Sequence, residues 1–543
     1  MSATTAEPDL YTPAAPPAAP AATPAPYVLS PTLASAYIGA SVLLWATQGL
    51  GMNFVAANTA QLQGGFGATL TETNWLVAAY MAPNVSLTLL LTKLRTQIGL
   101  RRFATGAIGI FVVASLLHLF VRDLHAAVAI RFFAGLAAAP ISTLGFLYML
   151  EAFPPAKKMS WGLSLALFCS SAMPIVARLI SPALLDIGLW DSLAAMEAGL
   201  ALLAIPVVVL LPLTPIPRAK VLHWLDFISY PLIALGFGLL AVVLTLGRLY
   251  WWLEIPWMGW CTALAVLAIA AAAAIEVNRD EPLMNVRWLL SPQILHLAAV
   301  LLVFRIVLAE QSSGAFALFS ALGLLNEQSA TLYLVILAAS FVAGLACAMT
   351  LRPDRTPALH AVALLLICIG AALDSQATNL TRPAQMYLSQ ALVAFGGALF
   401  LPPSLLTGMM AALQRSQATI TSFIVVFLFT QSLGGLLGSA AFGTFIIVRE
   451  KFHSSQIVEH IALTDPLIAD RVRLLGGVYG KVLMDTQLLG AEGLALLAQQ
   501  ATLEANILAY NDAFRVIAVL SGLALAALLI HLLLGRLRYR TAS

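Results

Sequence analysis

Apolar residues in this chain gather into long runs separated by short polar connections. The runs fall at 34–57, 73–92, 103–121, 126–150, 159–181, 192–213, 226–247, 256–276, 294–319, 328–350, 357–374, 386–412, 419–447 and 515–535. Crossing a hydrocarbon layer takes about 20 residues of helix, so each run is long enough to span one. A backbone in lipid must satisfy its own hydrogen bonds, which predicts helices rather than open strands. The alternating in–out pattern of a membrane barrel, in segments of about ten residues, is absent. Fourteen spans of about 22 residues would occupy roughly 310 residues, a little over half of the 543. The expected fold is therefore all-α and polytopic.

Composition carries the same message. The chain is 60% hydrophobic and 10% charged, against about 25% charged in a soluble domain. This excludes a soluble enzyme, a nucleic-acid binder and a disordered scaffold. The net charge of +3 says little as a total, but its distribution orients the bundle. Lys93, Arg95, Arg101, Arg102, Lys157, Lys158, Arg218, Lys220, Arg279, Arg287, Arg352, Arg355, Arg415, Arg536, Arg538 and Arg540 fall on one alternating set of connections. The short loops of the other set offer only Arg122, Arg248 and Arg382. Lysine and arginine are retained on the cytoplasmic side, so both termini are expected in the cytoplasm, as an even helix count requires.

The remaining segments complete the organisation. Residues 1–33 form a tail, Pro/Ala-rich between Pro13 and Pro26, with the composition of an extended solvated segment. No basic n-region and apolar h-region of a secretory signal is visible there. A first six-helix half is expected over 34–213, two extra helices with linkers over 214–292, and the second half's helices over 293–448. The Lys93–Arg102 connection resembles LRPDRTP at 351–357, as an internal repeat would require. Residues 449–513 form a long external loop, within which 487–510 has the pattern of an amphipathic helix. That helix either caps the bundle or offers a docking surface. Residues 514–543 supply the last span and a basic cytoplasmic tail.

Candidate chemistry is confined to the spans. GGVYGK at 476–481 is one residue too short for a phosphate-binding loop, and Val482 stands where Ser or Thr must meet magnesium. No hydrolytic constellation appears, and the four cysteines lie singly in apolar runs, so neither enzyme activity nor a metal site is expected. A charge at mid-bilayer costs about 2.5–3.5 kcal/mol on insertion scales and so needs a partner or a wet cavity. Arg131, Arg178, Arg305 and Glu310 are the candidates for proton coupling. Glu310 reads as the sole carboxylate near the centre of a span. It is either a proton carrier or one member of a static ion pair, with Arg178 an available counter-charge. Gln48, Asn53, Asn58, Asn84 and Gln311 are candidates to line a pathway or to bond neighbouring helices. His118, His296 and His360 have the setting of hydrogen-bonded structural residues. Pro140, Pro174, Pro182, Pro402 and Pro403 are expected to break helices, Gly434 and Gly438 to permit close packing, and the aromatics at 250–260 to form an interfacial belt.

Four stretches resemble the fourteen-helix drug:proton antiporters of the major facilitator superfamily, the EmrB/QacA type. AIRFFAGLAAAP at 129–140 resembles their fourth-helix motif, with Arg131 and Gly135 on its Arg and Gly. TKLRTQIGLRR at 92–102 resembles the loop signature after the second helix, keeping Leu94, Gly99 and Arg101 as gating-loop residues. FPPAKK at 153–158 resembles the loop after the fourth helix. AQQATLEANILAYNDAF at 498–514 resembles the end of the EmrB-type loop, with Gln499, Gln500, Asn511 and Asp512 matching as partner-docking candidates. The chain departs from the family in having Thr92 and Thr96 for the signature's Gly and Asp, and Gly51 at the first helix's acidic position. Its fifth-helix segment is SAMPIVARLISP, where the family is glycine-rich.

The resemblance implies a major facilitator fold of two six-helix halves plus two helices, in a bacterial inner membrane. It implies a proton-driven exporter of toxic or amphiphilic small molecules, with no cofactor besides the proton gradient. The implied partners are a periplasmic adaptor of the membrane-fusion type and an outer-membrane channel. Arg178 and Arg305 would favour anionic or amphiphilic substrates. A proton-coupled importer of an organic acid or siderophore, and a non-transporting scaffold or sensor, are the competing readings.

Overall fold

The computed structural model describes residues 29–214, 218–252, 254–279, 282–414 and 417–542. Most of the Pro/Ala-rich tail, and Arg415, lie outside the described residues. Helices account for nearly all of the rest, and no strand occurs among the described residues.

Helix α1 (Pro31–Ala57) starts where the Ser30 hydroxyl accepts the Leu33 amide and Pro31 presets the first turn. Helix α2 (Trp75–Ile98) ends at Gly99, whose φ of +86° lets the chain reverse into α3 (Leu100–His118). Helix α4 (Leu124–Glu151) is capped by Asp123, which accepts the Ala126 amide at 2.9 Å. Helix α5 (Leu163–Leu210) is continuous in hydrogen bonding but broken in direction at Gly188 and Leu189. Leu189 has φ +48°, uncommon for a side-chain-bearing residue. Among the described residues, thirteen helical stretches are long and apolar enough to cross a membrane. Because α5 carries both the fifth and the sixth span, the fourteen expected crossings are accommodated.

Helices α6 (Asp226–Tyr250) and α7 (Pro256–Val277) follow. Helix α8 (Pro292–Ala309) runs through a wider π-helical turn, Glu310–Ala315, into Phe316–Ala321. Helices α9 (Ala330–Thr350), α10 (Thr356–Asp374) and α11 (Tyr387–Leu413) complete the series before the two longest elements. These are α12 (Gln417–Glu459), about 65 Å at 1.5 Å per residue, and α14 (Thr486–Ala542), about 85 Å. Both far exceed a hydrocarbon core of about 30 Å, so each projects from the bundle, with α13 (Pro466–Gly476) between them. The amphipathic segment expected at 487–510 is the first part of α14. A side chain at Gly493 would collide with the Val472 carbonyl and one at Gly476 with the Leu489 carbonyl, so the 476 glycine serves helix crossing in this arm.

None of the five prolines expected to break helices does so. Pro140 lies inside α4, Pro174 and Pro182 inside α5, and Pro402 and Pro403 inside α11. Neighbouring helices in a membrane bundle can take up the carbonyls a proline frees.

Helices α1 to α5 pack on one another as one half, and α8 to α12 with α14 as the other. The halves meet where α5 lies on α9 and α2 on α12; α6 packs on both α2 and α12, and α7 on α6. Leu163 and Ile175 of α5 belong to the second half's core, and Leu433 of α12 to the first half's. We call the end bearing α13 the arm end and the opposite one the basic end. At the arm end Trp75 donates to the Tyr250 hydroxyl at 3.2 Å and stacks near Trp257, so part of the expected aromatic belt is spent joining α2 to α6 and α7.

Candidate functional site

Polar side chains inside the bundle form three groups. The first surrounds Glu310. The π-helical turn directs its fully buried carboxyl toward α11, where the Gln390 amide donates to Oε1 at 2.9 Å. The same amide nitrogen donates to Oδ2 of Asp374, at the end of α10, at 2.7 Å. Ser389 also donates to Asp374, and Gln311 donates to the Gln390 side-chain carbonyl at 3.2 Å. Two buried carboxyls thus share one amide donor, and no cation pairs with either among the described residues. Glu310 is thus not alone: Asp374, at the end of its span, is a second buried carboxyl beside it. Asp374 escaped the sequence reading because it is the last residue of its apolar run, where an acid looks interfacial.

The second group lies in the first half. Arg131 on α4 is 1% exposed and donates through Nη1 to the Gly51 carbonyl of α1 at 2.8 Å. Its guanidinium sits 4.4 Å over the Tyr80 ring of α2 and 3.9 Å from Oε2 of Glu197 on the second arm of α5. Nδ1 of His118, at the end of α3, lies 3.7 Å from the same oxygen. Glu197 is 5% and His118 1% exposed. A Cβ at Gly51 would come within 2.9 Å of the Glu197 carboxyl, so only glycine leaves room there. Glu197 occupies the space an acidic side chain from α1 would use. It was missed because it lies within two turns of its span's end. The signal was available: Arg131 without an acid on α1 requires one from elsewhere. His118 is accordingly not an isolated structural histidine.

The third group joins the halves at the arm end. Arg178 of α5 donates to Oδ1 of Asn326 at 3.3 Å and lies 4.9 Å over the Phe316 ring. Asn326 also accepts from the Tyr333 hydroxyl at 2.9 Å, and donates to the Ala57 carbonyl at 3.4 Å and to Oδ1 of Asn58 at 3.3 Å. Ser181 donates to the same Asn58 oxygen at 3.1 Å. The structure therefore corrects the expectation of Arg178 as a counter-charge for Glu310: its partners are neutral residues of a contact between the halves.

Arg305 on α8 packs on the glycines of α12, where a Cβ at Gly434 would meet its side chain at 2.9 Å and one at Gly438 its carbonyl at 2.7 Å. It is half-buried, its Nε has no partner, and no carboxylate faces it among the described residues. Gln48 is buried on α1, facing Tyr80. Asn53 donates to the Gly49 carbonyl of its own helix at 2.7 Å, and Asn84 to the Gly135 carbonyl at 3.1 Å, bonding α2 to α4.

The gating-loop residues separate. Leu94 packs into the first half's core, Gly99 supplies the turn under Arg218, and Arg101 is exposed. Beside them Lys93 reaches Asp226 at 3.2 Å, Arg279 reaches Asp226 at 2.6 Å and Glu276 at 2.7 Å, and Gln97 accepts the Leu222 amide at 2.9 Å. The loop is thus tied to α6 and α7. In the arm, Gln499 is exposed and Gln500 accepts from Arg471 at 3.0 Å. Asn511 is turned inward instead, clasping the Ala377 backbone at 3.1 and 2.8 Å, and Asp512 binds Arg449 and His453 at 2.6 and 2.8 Å. These two stitch α14 to the bundle rather than face a partner.

No family model matches the chain. Over 161 residues it is 30% identical to the fatty acid resistance protein FarB of Neisseria gonorrhoeae; the match covers 28% of this chain and 30% of that protein. Among solved structures it is similar to the human organic anion transporter MFSD10, with a TM-score of 0.52 and 12% identity over 90% of this chain and 99% of that one. It is similar to the peptide transporter structure PepTSo2, at 0.51 and 16% over 94% and 99%. The proton:xylose symporter XylE aligns at 0.50 and 14% over 90% and 95%. At these identities the likeness establishes the fold, which is that of the major facilitator superfamily.

Proposed function

We propose that the chain is a proton-driven secondary exporter of amphiphilic small molecules, working by alternating access of its two halves. The observation that carries this reading is the Glu310–Gln390–Asp374 group, two buried carboxyls bridged by one amide and, among the described residues, faced by no cation. Two buried negative charges sharing one amide donor repel strongly, and a single proton shared between them relieves the repulsion. A static structural role would be served better by an apolar pair, since buried charge adds cost without packing. A pair that gains and loses a proton as the bundle rocks has a reason to stay.

The substrate class follows from Arg305 and from the relative. A half-buried guanidinium whose Nε has no partner and which no carboxylate faces among the described residues suits an anionic head group. The partial likeness to a fatty acid resistance protein supports carboxylate amphiphiles exported from the cell. Under this reading the arm end is periplasmic and both termini are cytoplasmic in a bacterial inner membrane. The arm of α12, α13 and α14 then presents apolar residues well outside the lipid. Leu467 is 79% and Met484 92% exposed, a surface suited to a membrane-fusion-type adaptor leading to an outer-membrane channel.

The test is uptake into inverted vesicles carrying the protein under an imposed proton gradient. Fatty acid anions are expected to accumulate, cationic dyes are not, and Glu310→Gln is expected to abolish accumulation at unchanged protein level. Gradient-driven uptake by that variant would exclude Glu310 as the carrier. Accumulation only in vesicles of the opposite orientation would make the protein an importer.

A further inference from the structure

We infer that Glu197, with Arg131 and His118, is a second proton-exchange site, in the half that carries no acid on its first helix, and that it is reached from the arm end past Trp190. Four helices bring titratable groups or their partners to one place: the Gly51 carbonyl and Gln48 from α1, Tyr80 from α2, His118 from α3 and Arg131 from α4. Glu197 enters from α5. Several of their polar atoms have no protein partner: both ring nitrogens of His118, Nε and Nη2 of Arg131, and Oε1 of Glu197. Between them lies a cavity of about 10 Å³, lined by Gly51, Phe54, His118, Arg131, Trp190 and Glu197. That is close to the room a single water needs, and the lining offers it both donors and acceptors. The separations of 3.7 and 3.9 Å from Glu197 to His118 and Arg131 exceed direct hydrogen bonds and fall in the range a bridging water spans.

Access is the second observation. Trp190 follows the break at Gly188 and Leu189, donates its indole N–H to the His118 carbonyl at 3.2 Å and sets its ring 5.7 Å from the His118 ring. On its other side is a surface pocket of about 220 Å³, lined by Leu62, Phe66, Val121, Arg122, Leu189 and Asp191. Trp190, on the strained turn, lines both spaces and so adjoins both the surface pocket and the buried carboxylate's cavity. A proton passes between them by way of water and the His118 ring. Glu197 carboxylate becomes carboxylic acid, and Arg131 loses its counter-charge while keeping the bond to Gly51. Release reverses the step.

That this proton drives transport rests on the exporter reading above; that Glu197 exchanges a proton does not, and the measurements separate the two. The first is the infrared difference spectrum of the purified full-length protein between acidic and neutral pH, recorded without substrate. A carboxylic acid band present in the wild type and lost in Glu197→Gln is expected. An identical band in the variant would overturn the site. Trp190→Ala is expected to speed deuterium exchange of that band at least severalfold, and an unchanged rate would overturn the access route. Should Glu197→Gln fold poorly, the double variant Glu197→Ala with Gly51→Asp places a carboxyl in the same space from α1. Return of the band and its pH response is expected; a properly folded double variant without them would overturn the proposal. The second measurement compares gradient-driven uptake with substrate counterflow in proteoliposomes. Glu197→Gln is expected to lose the former and keep the latter. Loss of the infrared band with full gradient-driven uptake would leave the titrating site standing and remove it from coupling.

Discussion

Asn326 makes four hydrogen bonds to residues around it, three of them across the seam between the halves, to Ala57, Asn58 and Arg178. A bond to a charged donor contributes about 1.5–3 kcal/mol net and a neutral one about 1 kcal/mol. Asn326→Ala should therefore release the arm-end closure by a few kcal/mol, with each 1.4 kcal/mol worth tenfold in the open-to-closed ratio. Ile175, 5% exposed and buried in the opposite half's core, reports on this. In a background with the four native cysteines replaced, Ile175→Cys should react with an impermeant maleimide at least tenfold faster once Asn326 is Ala. Equal rates would show that the contact does not hold the halves together. Asn326 was invisible in the sequence because it sits in a short polar connection between spans, where asparagine is ordinary. Arg178 was visible, but a sequence gives no partner. Glu197 and Asp374 illustrate a related limit: apolar runs reveal which residues are stranded in lipid, yet an acid near the end of a run looks solvated until the neighbouring helix is in place.

Among the elements, the crossing of α2 over α4 depends on the absence of one side chain. A Cβ at Gly135 would collide with the Tyr80 carbonyl, and the contact it permits is sealed by Asn84 bonding the Gly135 carbonyl. Gly135→Ala must push the helices apart, and forced overpacking costs about 1–3 kcal/mol. Gly106 on α3 has nothing within 4 Å of an added Cβ, so Gly106→Ala should be neutral or stabilising by up to about 1 kcal/mol. Thermal unfolding in detergent should show a lowered midpoint for the first and none for the second; equal effects would remove the packing argument. A second junction is Asn511, which holds the α14 shaft against residue 377. Asn511→Leu would leave a buried amide and carbonyl unpaired, at about 1–3 kcal/mol each, and should speed proteolysis of the arm while Gln499→Leu, at an exposed position, does not. The spans themselves were legible because lipid imposes length and apolarity on every one of them. What the apolar runs could not convey was where helices continue beyond lipid, since a helix in water obeys no hydropathy rule. The α12 and α14 extensions therefore looked like a loop. The prolines failed as markers for the opposite reason, because in a packed bundle the neighbours repair what proline removes.

The two extra helices decide how the whole molecule can move. At the basic end α6 is fastened to the first half: Asp226 takes Lys93, the Ala219 amide bonds the Thr96 carbonyl at 3.3 Å, and Leu222 bonds Gln97, while Arg279, just after α7, ties α7 to the same Asp226. At the arm end the turn between α6 and α7 holds the second half instead, through Trp252 donating to Thr444 of α12 at 2.9 Å and Lys451 over the Trp251 ring at 4.8 Å. The basic-end ties are ionic and partly buried, where losing one partner strands the other, so they are costly to break. These two arm-end ties, a neutral bond and a cation–π contact, are together of order 2 kcal/mol. The pair α6–α7 should therefore travel with the first half, and opening at the arm end should part it from α12 as it parts Arg178 from Asn326. Cysteine pairs make this a matter of cross-linking. A disulfide-length bridge between positions 178 and 326, or between 252 and 444, should arrest gradient-driven transport reversibly, with reductant restoring it. A bridge between positions 97 and 222 should leave the rate within about twofold of the uncrosslinked protein, because no relative motion is needed there. Arrest by the last bridge would place the moving seam between α2 and α6 and assign the extra helices to the second half.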